Sequence, residues 1–205
     1  MRLRLAKKKI PIMLDQWNVR GLNKIDKLQI LSKVLEGYNL MVVGLSEVKW
    51  KGTGHFRTAD NHLILYGGSE QGREHHGVAF WIHQKVASYL IEYNVINNRI
   101  ITATFKATPK NLSIIQCYAP TQDKDEEIAD AFYGDLSRTI GLVPKKNVLC
   151  VMGDFNARVG ENAYESPVIS KYGYGSRDEA GQRLIDFCGD HKLILTNTMF
   201  RHHMR

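Results

Sequence analysis

The chain predicts an α/β fold on three observations: helical and strand-like segments alternate along its 205 residues, its most apolar runs are short and continuous, and several strand-like runs follow one another with no helix between them. Continuous apolar runs such as Leu40 to Leu45 and Leu112 to Cys117 suit strands covered on both faces. The stretch from Leu63 to Cys117 offers four strands and no helix. That mixture points to two mixed sheets packed face to face with helices outside, a four-layer α/β sandwich. A single doubly wound sheet is the alternative and accommodates the helix-free stretch less well.

Taken in order, Ile10 to Leu14 reads as a strand that continues toward Trp17-Asn18-Val19. Ile25, Leu28, Leu31, Val34 and Leu35 recur at helical spacing, so Lys24 to Gly37 reads as an amphipathic helix. Strands follow at Leu40 to Leu45, Leu63 to Tyr66, Val78 to Ile82, Arg99 to Lys106 and Leu112 to Cys117, with turns at Gly67-Gly68 and Pro109-Lys110-Asn111. The acidic start Asp123-Lys124-Asp125-Glu126-Glu127 suits a helix N-terminus. That helix runs from Glu126 to Leu142, with Ile128, Phe132, Leu136 and Ile140 on one face. A strand spans Val148 to Met152, a Gly- and Tyr-rich loop Gly160 to Ser176, a third helix Glu179 to Asp190 and a last strand Leu193 to Leu195.

The length fits one domain over residues 1–205, with room for a real core. Hydrophobic content of 43% and charged content of 24% are those of a soluble globular protein. The formal net charge of +7 favours polyanionic partners such as nucleic acid; on charge alone, a modestly basic protein is the plainer reading. Three scattered cysteines, Cys117, Cys150 and Cys188, form neither a disulfide framework nor a C-x-x-C zinc site. They are expected to be buried, reduced thiols, which fits an intracellular compartment. No apolar run approaches the ~20 residues needed to span a bilayer, so no membrane association is expected. The basic start lacks an apolar stretch and a cleavage site, so no signal peptide is expected. Lys7-Lys8-Lys9 also fits a nuclear-localisation cluster, although a frayed, solvated terminus is the plainer reading. Nothing in the sequence marks an obligate protein partner.

Chemistry-bearing residues stand at the ends of the strand-like runs, where α/β enzymes build sites. Gly153-Asp154-Phe155-Asn156 ends one run, and positions i and i+2 of an extended segment share a face. A carboxylate at Asp154 can orient or deprotonate a water, and an amide at Asn156 can donate to a phosphate oxygen. An Asx turn accounts for the pair equally well. Glu47 ends another run and offers the hard oxygen that Mg²⁺ uses; a solvated strand end is its plainer reading. Asn18, in Trp17-Asn18-Val19-Arg20, can bind a metal or simply close a turn. Arg20 can clamp a phosphate or be a surface arginine. Tyr118, before Ala119-Pro120-Thr121, can donate from its phenol or be a core-edge tyrosine. The histidines form no metal-ligand spacing: His75-His76 reads as a turn, His191 as a helix C-cap, and His202-His203 lies at the end. The G-x-S-x-G and P-loop signatures of acyl hydrolases and nucleotide hydrolases do not occur.

The ordered set Trp17-Asn18-Val19-Arg20, Ser46-Glu47, Tyr118-Ala119-Pro120-Thr121 and Gly153-Asp154-Phe155-Asn156 resembles the endonuclease/exonuclease/phosphatase superfamily. Gly77-Val78-Ala79, Phe155 to Gly160 and Asn-Thr-x-Phe at Asn197 to Phe200 resemble in particular the endonuclease domain of non-LTR retrotransposons and its craniofacial-development-protein-like host copies. The resemblance runs from Ile12 to Phe200 and implies the four-layer sandwich with Mg²⁺-dependent phosphodiester hydrolysis, Mn²⁺ being an alternative ion. It implies DNA as the partner. By the same resemblance Glu47, helped by Asn18, holds the metal, Asp154 positions the attacking water, and Asn156 and Tyr118 steady the growing charge.

Two departures matter. The family pattern continues past Asn-Thr-x-Phe with an aspartate in an Ile-Asp-Tyr-like strand and a terminal Ser-Asp-His. This sequence contains neither, and His202 and His203 follow Arg201 rather than Ser-Asp. The expectation is a domain whose last strands are missing, with nicking impaired, since losing a positioned acid–base group costs ~10²–10⁴-fold in rate. Asp15-Gln16 also stands where the group shows small residues. The alternatives are an inert nucleic-acid-binding remnant and, third, a phosphatase for small or lipid phosphates.

Overall fold

The computed structural model describes residues 4–5, 11–69, 76–161 and 166–201. In chain order it contains β1 (Arg4–Leu5), β2 (Leu14–Asn18), α1 (Ile25–Gly37), β3 (Val42–Ser46), β4 (Thr53–Arg57), β5 (Leu63–Gly67), β6 (Val78–Ile82), α2 (Gln84–Ala87), β7 (Leu90–Asn97), β8 (Ile100–Phe105), β9 (Ala107–Thr108), β10 (Leu112–Tyr118), α3 (Glu126–Leu142), β11 (Val148–Asp154) and α4 (Glu179–Asp190), then a 3-10 turn at Thr196–Thr198. The fold is mixed α/β with two mixed sheets, as the sequence predicts, and among the described residues it has four helices, one more than the three the sequence predicts.

The chain divides into two compact units, Met1–Ala119 with Arg138–Asp154, and Pro120–Ser137 with Phe155–Arg205. Both large sheets belong to the first unit. The five-stranded sheet has the order β2-β3-β6-β5-β4 and the four-stranded sheet the order β11-β10-β8-β7. Each has one parallel pair at its edge, β2 with β3 and β10 with β11, and is antiparallel elsewhere. Each parallel pair is joined through a helix, α1 in the first case and α3 in the second, so the architecture repeats one βαβ unit per sheet.

The sheets are held by their facing side chains. Val42, Leu65, Phe80 and Ile82 of one pack with Ile101, Phe105, Leu112 and Ile114 of the other in a single buried cluster. The opposite face of the five-stranded sheet is covered by α1, whose Leu28, Leu31 and Leu35 meet Val43, Leu45, Ile64 and Trp81. Strands β3 and β6 are buried along their whole length. Full burial on both faces is why their sequences are apolar rather than alternating, and each such side chain removed from water contributes ~1.5–3 kcal/mol. The Trp81 indole N–H inside this layer is satisfied by Ser32 Oγ at 3.0 Å.

The second unit has its own small core of Val168, Ile169, Leu184, Ile185 and Cys188. Asp178 caps α4, its carboxylate accepting from the Gly181 N–H at 2.7 Å and from the Arg158 N–H at 3.1 Å. His191 is the C-cap of α4. Arg183 pairs with Asp130 and with Glu126, the latter at 2.9 Å, and ties α4 to the start of α3.

Several expectations are corrected. Leu193 to Leu195 is not a strand: Leu193 and Leu195 pack on the second core while Ile194 is exposed, but the backbone bonds go to Cys188 O and Val168 O. Alternation there reports burial without a ladder partner. The region from Leu63 to Cys117 contains the one-turn helix α2 and two further strands, β7 and β9, and β4 precedes it. Cys117 and Cys188 are buried, whereas Cys150 is half-exposed because β11 pairs only with β10 and every residue of it is partly open. None of the three forms a disulfide, the Cys117 thiol donates to Met152 O at 3.5 Å, and burial pushes Cys188 up to about 11. Ile10, Lys7 to Lys9, His75, His202 and His203 lie outside the described residues.

Candidate active site

The two parallel pairs place four chain ends together. In register Asn18 stands beside Ser46, and Tyr118 beside Asp154. Face-to-face packing sets β2 against β11 and β3 against β10. Residues at the C-terminal ends of all four strands therefore converge, the position at which open α/β sheets bind ligands.

The convergence is closed by hydrogen bonds. Asn18 Nδ2 donates to Glu47 Oε1 at 2.7 Å and to Asp154 Oδ2 at 2.9 Å. The Tyr118 hydroxyl donates to the same Glu47 Oε1 at 3.0 Å. Two carboxylates thus share one amide nitrogen. Lys49 Nζ adds a cation 3.8 Å from Glu47 Oε2. Burial pushes the Glu47 carboxyl up, but the hydrogen bonds from Asn18 and Tyr118 and the charges of Lys49 and Arg20 outweigh it and hold the group below its ordinary value.

The backbone around Glu47 is strained and over-determined. Arg20, Glu47 and Lys49 have φ of 48°, 58° and 59°, in the left-handed region. The Gly21 and Leu22 N–H groups donate to Glu47 O and Val48 O at 2.7 and 3.0 Å, and Val48 and Lys49 donate to Gly77 O and His76 O. Non-glycine residues held this way cost ~1–3 kcal/mol each and cluster at functional sites. Arg20 is committed locally, its N–H donating to Asn18 Oδ1 at 3.1 Å.

A buried polar layer supports these residues from below. Ser46 Oγ accepts from Gln16 Nε2 at 3.2 Å and from Gln116 Nε2 at 3.0 Å. Gln116 crosses from the four-stranded sheet over Gly44, where any Cβ would overlap its side-chain oxygen. Gly153 is likewise obligatory, since a Cβ there would overlap Cys117 O on the paired strand. Asp15 faces solvent and accepts from the Gln16 N–H and the Trp17 indole at 2.8 and 3.1 Å, which leaves Gln16 pointing in at Ser46. The unusual Asp15-Gln16 pair therefore fits the strand without disturbing it.

Sequence reasoning named Asn18, Glu47, Tyr118 and Asp154, and the structure brings these four together. Asn156 falls in the second unit, half-buried, with a left-handed φ of 48° that ends the extended run before it. Sequence reasoning missed Ser46 and Gln116, although a glutamine inside the apolar run Leu112 to Cys117 was a visible signal. It also missed Arg99, which lies 5.5 Å over the Tyr118 ring, donates to Tyr118 O at 3.1 Å and meets His76 Nε2 at 2.9 Å. A lone arginine at a strand start carried no signal of that role.

Two carboxylates around one donor form an all-oxygen set that fits a hard divalent cation. Asn18 presents nitrogen to both carboxylates, its oxygen being taken by the Arg20 N–H. A second grouping, Glu36, His62 and His83, has ligand-type atoms within 4.8 Å of one another. It reads as a hydrogen-bond network: His62 Nδ1 accepts from the Gln84 N–H at 3.2 Å, which puts the ring proton on Nε2, 2.9 Å from Glu36 Oε1. A protonated Nε2 is not a metal ligand.

Two facing mixed sheets with polar groups gathered at the ends of their parallel strands place the chain in a recognised α/β family. The chain belongs to the Endonuclease/Exonuclease/phosphatase family, which matches residues 16–201. It is 40% identical over 186 residues to craniofacial development protein 2 of Bos taurus, covering 90% of this chain and 31% of that protein. The chain thus spans about a third of the length of that relative. The endonuclease domain of TRAS1, a telomere-specific non-LTR retrotransposon, superposes with a TM-score of 0.56 at 16% identity, over 85% of this chain and 70% of that one. TDP2 of D. rerio, complexed with single strand DNA product, superposes with a TM-score of 0.53 at 16% identity, over 72% and 61% of the two chains. These two likenesses speak for the fold.

Proposed function

We propose that this chain is a divalent-metal-dependent phosphodiester hydrolase that nicks DNA in the manner of retrotransposon endonucleases. The carrying observation is the closed set Asn18–Glu47–Tyr118–Asp154 at the ends of the two parallel strand pairs. Family membership supports the hydrolase chemistry, and the +7 charge together with the DNA-handling likenesses supports the substrate.

Glu47 would hold Mg²⁺, or Mn²⁺, with its carboxyl kept ionised by the groups around it. A bound cation of this kind supplies charge stabilisation for the leaving oxygen. Asn18 keeps the two carboxylates in register, a role its amide orientation favours over primary ligation. Asp154 orients a water and takes its proton as the water oxygen bonds to phosphorus and the P–O3′ bond breaks. The leaving oxygen takes a proton from solvent water and is released as a 3′-hydroxyl, and the phosphate stays on the 5′ side. The Tyr118 hydroxyl, turning from Glu47, donates to a phosphoryl oxygen as charge builds on it. Arg99 holds Tyr118 from behind.

The test is a supercoiled-plasmid nicking assay with Mg²⁺, Mn²⁺ or EDTA, with Asp154→Ala and Glu47→Gln as controls. The expected result is metal-dependent nicking that each substitution reduces by ~10²-fold or more. A folded protein that binds DNA but never nicks it in either metal sinks the hydrolase reading and leaves a DNA-binding relic of the fold.

A further inference from the structure

Away from the carboxylates, a cavity of about 570 Å³ opens between α1 and the turn and strands that follow Glu47. Its size is that of a small-molecule site. Trp50, Phe56 and Tyr66 line it, with Asn23 and Gln29 on the helix side and Lys51 on the other. The aromatic rings are fixed before any ligand arrives. The Trp50 indole donates to Leu22 O at 3.0 Å. Its ring stands 84° to Tyr66 at 5.3 Å and 59° to Phe56 at 5.7 Å. Gly68 packs so closely on the Trp50 carbonyl that a Cβ would overlap it. Phe56 is nevertheless 38% exposed, a large apolar surface left open on an edge strand.

We propose that this cavity receives an unstacked nucleobase of the bound DNA strand, an inference that rests on the nuclease reading above. Flat rings take any base on its π-face, and stacking of this kind is tolerant of sequence. The exposed amides of Asn23 and Gln29 offer both donors and acceptors to a base edge. The exposed Lys51 ammonium suits the phosphate of the same nucleotide. Position along the strand follows from the chain itself. Trp50 is three residues past Glu47, a reach of ~10 Å at most, and one DNA strand rises ~3.4 Å per nucleotide. The captured base therefore belongs to the stretch of strand next to the scissile phosphate. A nick placed beside an extruded base would make the enzyme prefer mismatched, frayed or single-stranded targets, where unstacking costs least.

The experiment is a binding titration in EDTA, which separates capture from cleavage. The probes are duplexes carrying 2-aminopurine, either fully paired or unpaired opposite a one-nucleotide gap in complementarity. Wild-type protein is compared with Phe56→Leu, which keeps apolar bulk but loses the π-face, and with Lys51→Gln; thermal melting confirms that each variant is folded. The expected result is tighter binding of the unpaired probe, quenching of its 2-aminopurine, and a loss of about 5- to 100-fold in that preference in Phe56→Leu. Equal affinity for both probes, or a preference untouched by Phe56→Leu and Lys51→Gln, overturns the proposal. Plasmid nicking by wild type alongside that result would leave the nuclease reading standing. A Phe56-dependent preference in a protein that never nicks would do the reverse.

Discussion

Glu47 Oε1 accepts from both Asn18 and Tyr118, and this one atom sets the acid limit of the chemistry. Burial alone would make Glu47 easier to protonate, but the two donors and the nearby cations reverse that. If catalysis needs ionised Glu47, the acid limb of a rate–pH profile falls below the ordinary glutamate value near ~4.3. Tyr118→Phe removes one of the lowering contributions, so the limb moves to higher pH. The same change deletes a donor to the charge that develops in the reaction, which typically costs ~10²–10³-fold at the plateau. A profile measured from well below ~4.3 up to neutral pH separates the two effects. A plateau loss with no movement of the limb would show that Tyr118 does not tune Glu47.

Among the elements, β3 and β10 make a close contact across the sheets, because Gly44 has to leave room for Gln116. Gly44→Ala forces that side chain aside and disturbs Ser46 above it, for an expected loss of ~1–3 kcal/mol from overpacking. Gly37, at the end of α1, has nothing within 4 Å of an added Cβ. Gly37→Ala is expected to gain ~0.4–1 kcal/mol through the unfolded chain. Denaturant melts of the two variants should shift in opposite directions with unchanged slopes. The sequence shows why some elements were legible and others were not. Helices α3 and α4 could be read to both ends because acidic starts, a capping Asp178 and a terminal His191 mark them. Strands β4 and β7 carry His55, Arg57, Glu92 and Asn94 on sheet edges, where exposure replaces the apolar run with polar residues. Glu47, Tyr118 and Asp154 could be read because each stands at the end of an apolar strand, and Asn18 because it sits in the motif Trp17-Asn18-Val19-Arg20. Ser46 meets Gln116 only when the two sheets pack, and Arg99 meets Tyr118 only through the pairing of β8 with β10, relations that spacing along one chain does not encode.

For the molecule as a whole, the question that charge can settle is the size of the substrate. A net charge of +7 is compatible with a polymer of phosphates and with a small phosphate ester alike. The two differ in how binding responds to salt. A duplex carries a condensed ion atmosphere, and each phosphate neutralised by a protein cation gives a slope of about −0.9 in log K against log[salt]. Lys49 and Lys51 follow Glu47 in the segment that also supplies the aromatic cavity, and Arg20, just past β2, brings its charge to Glu47. Three such contacts predict a slope of about −3 for duplex DNA, and Lys51→Gln should make it shallower by about one. A small phosphomonoester releases almost no condensed ions, so its KM should change little over the same salt range. Titrating labelled duplex in EDTA from low to physiological salt reads the slope directly. A slope near zero for wild-type protein would rule out phosphate-backbone recognition and move the substrate toward the small-ester branch of the family, while a steep slope that Lys51→Gln leaves unchanged would place the DNA track on some other face of the chain.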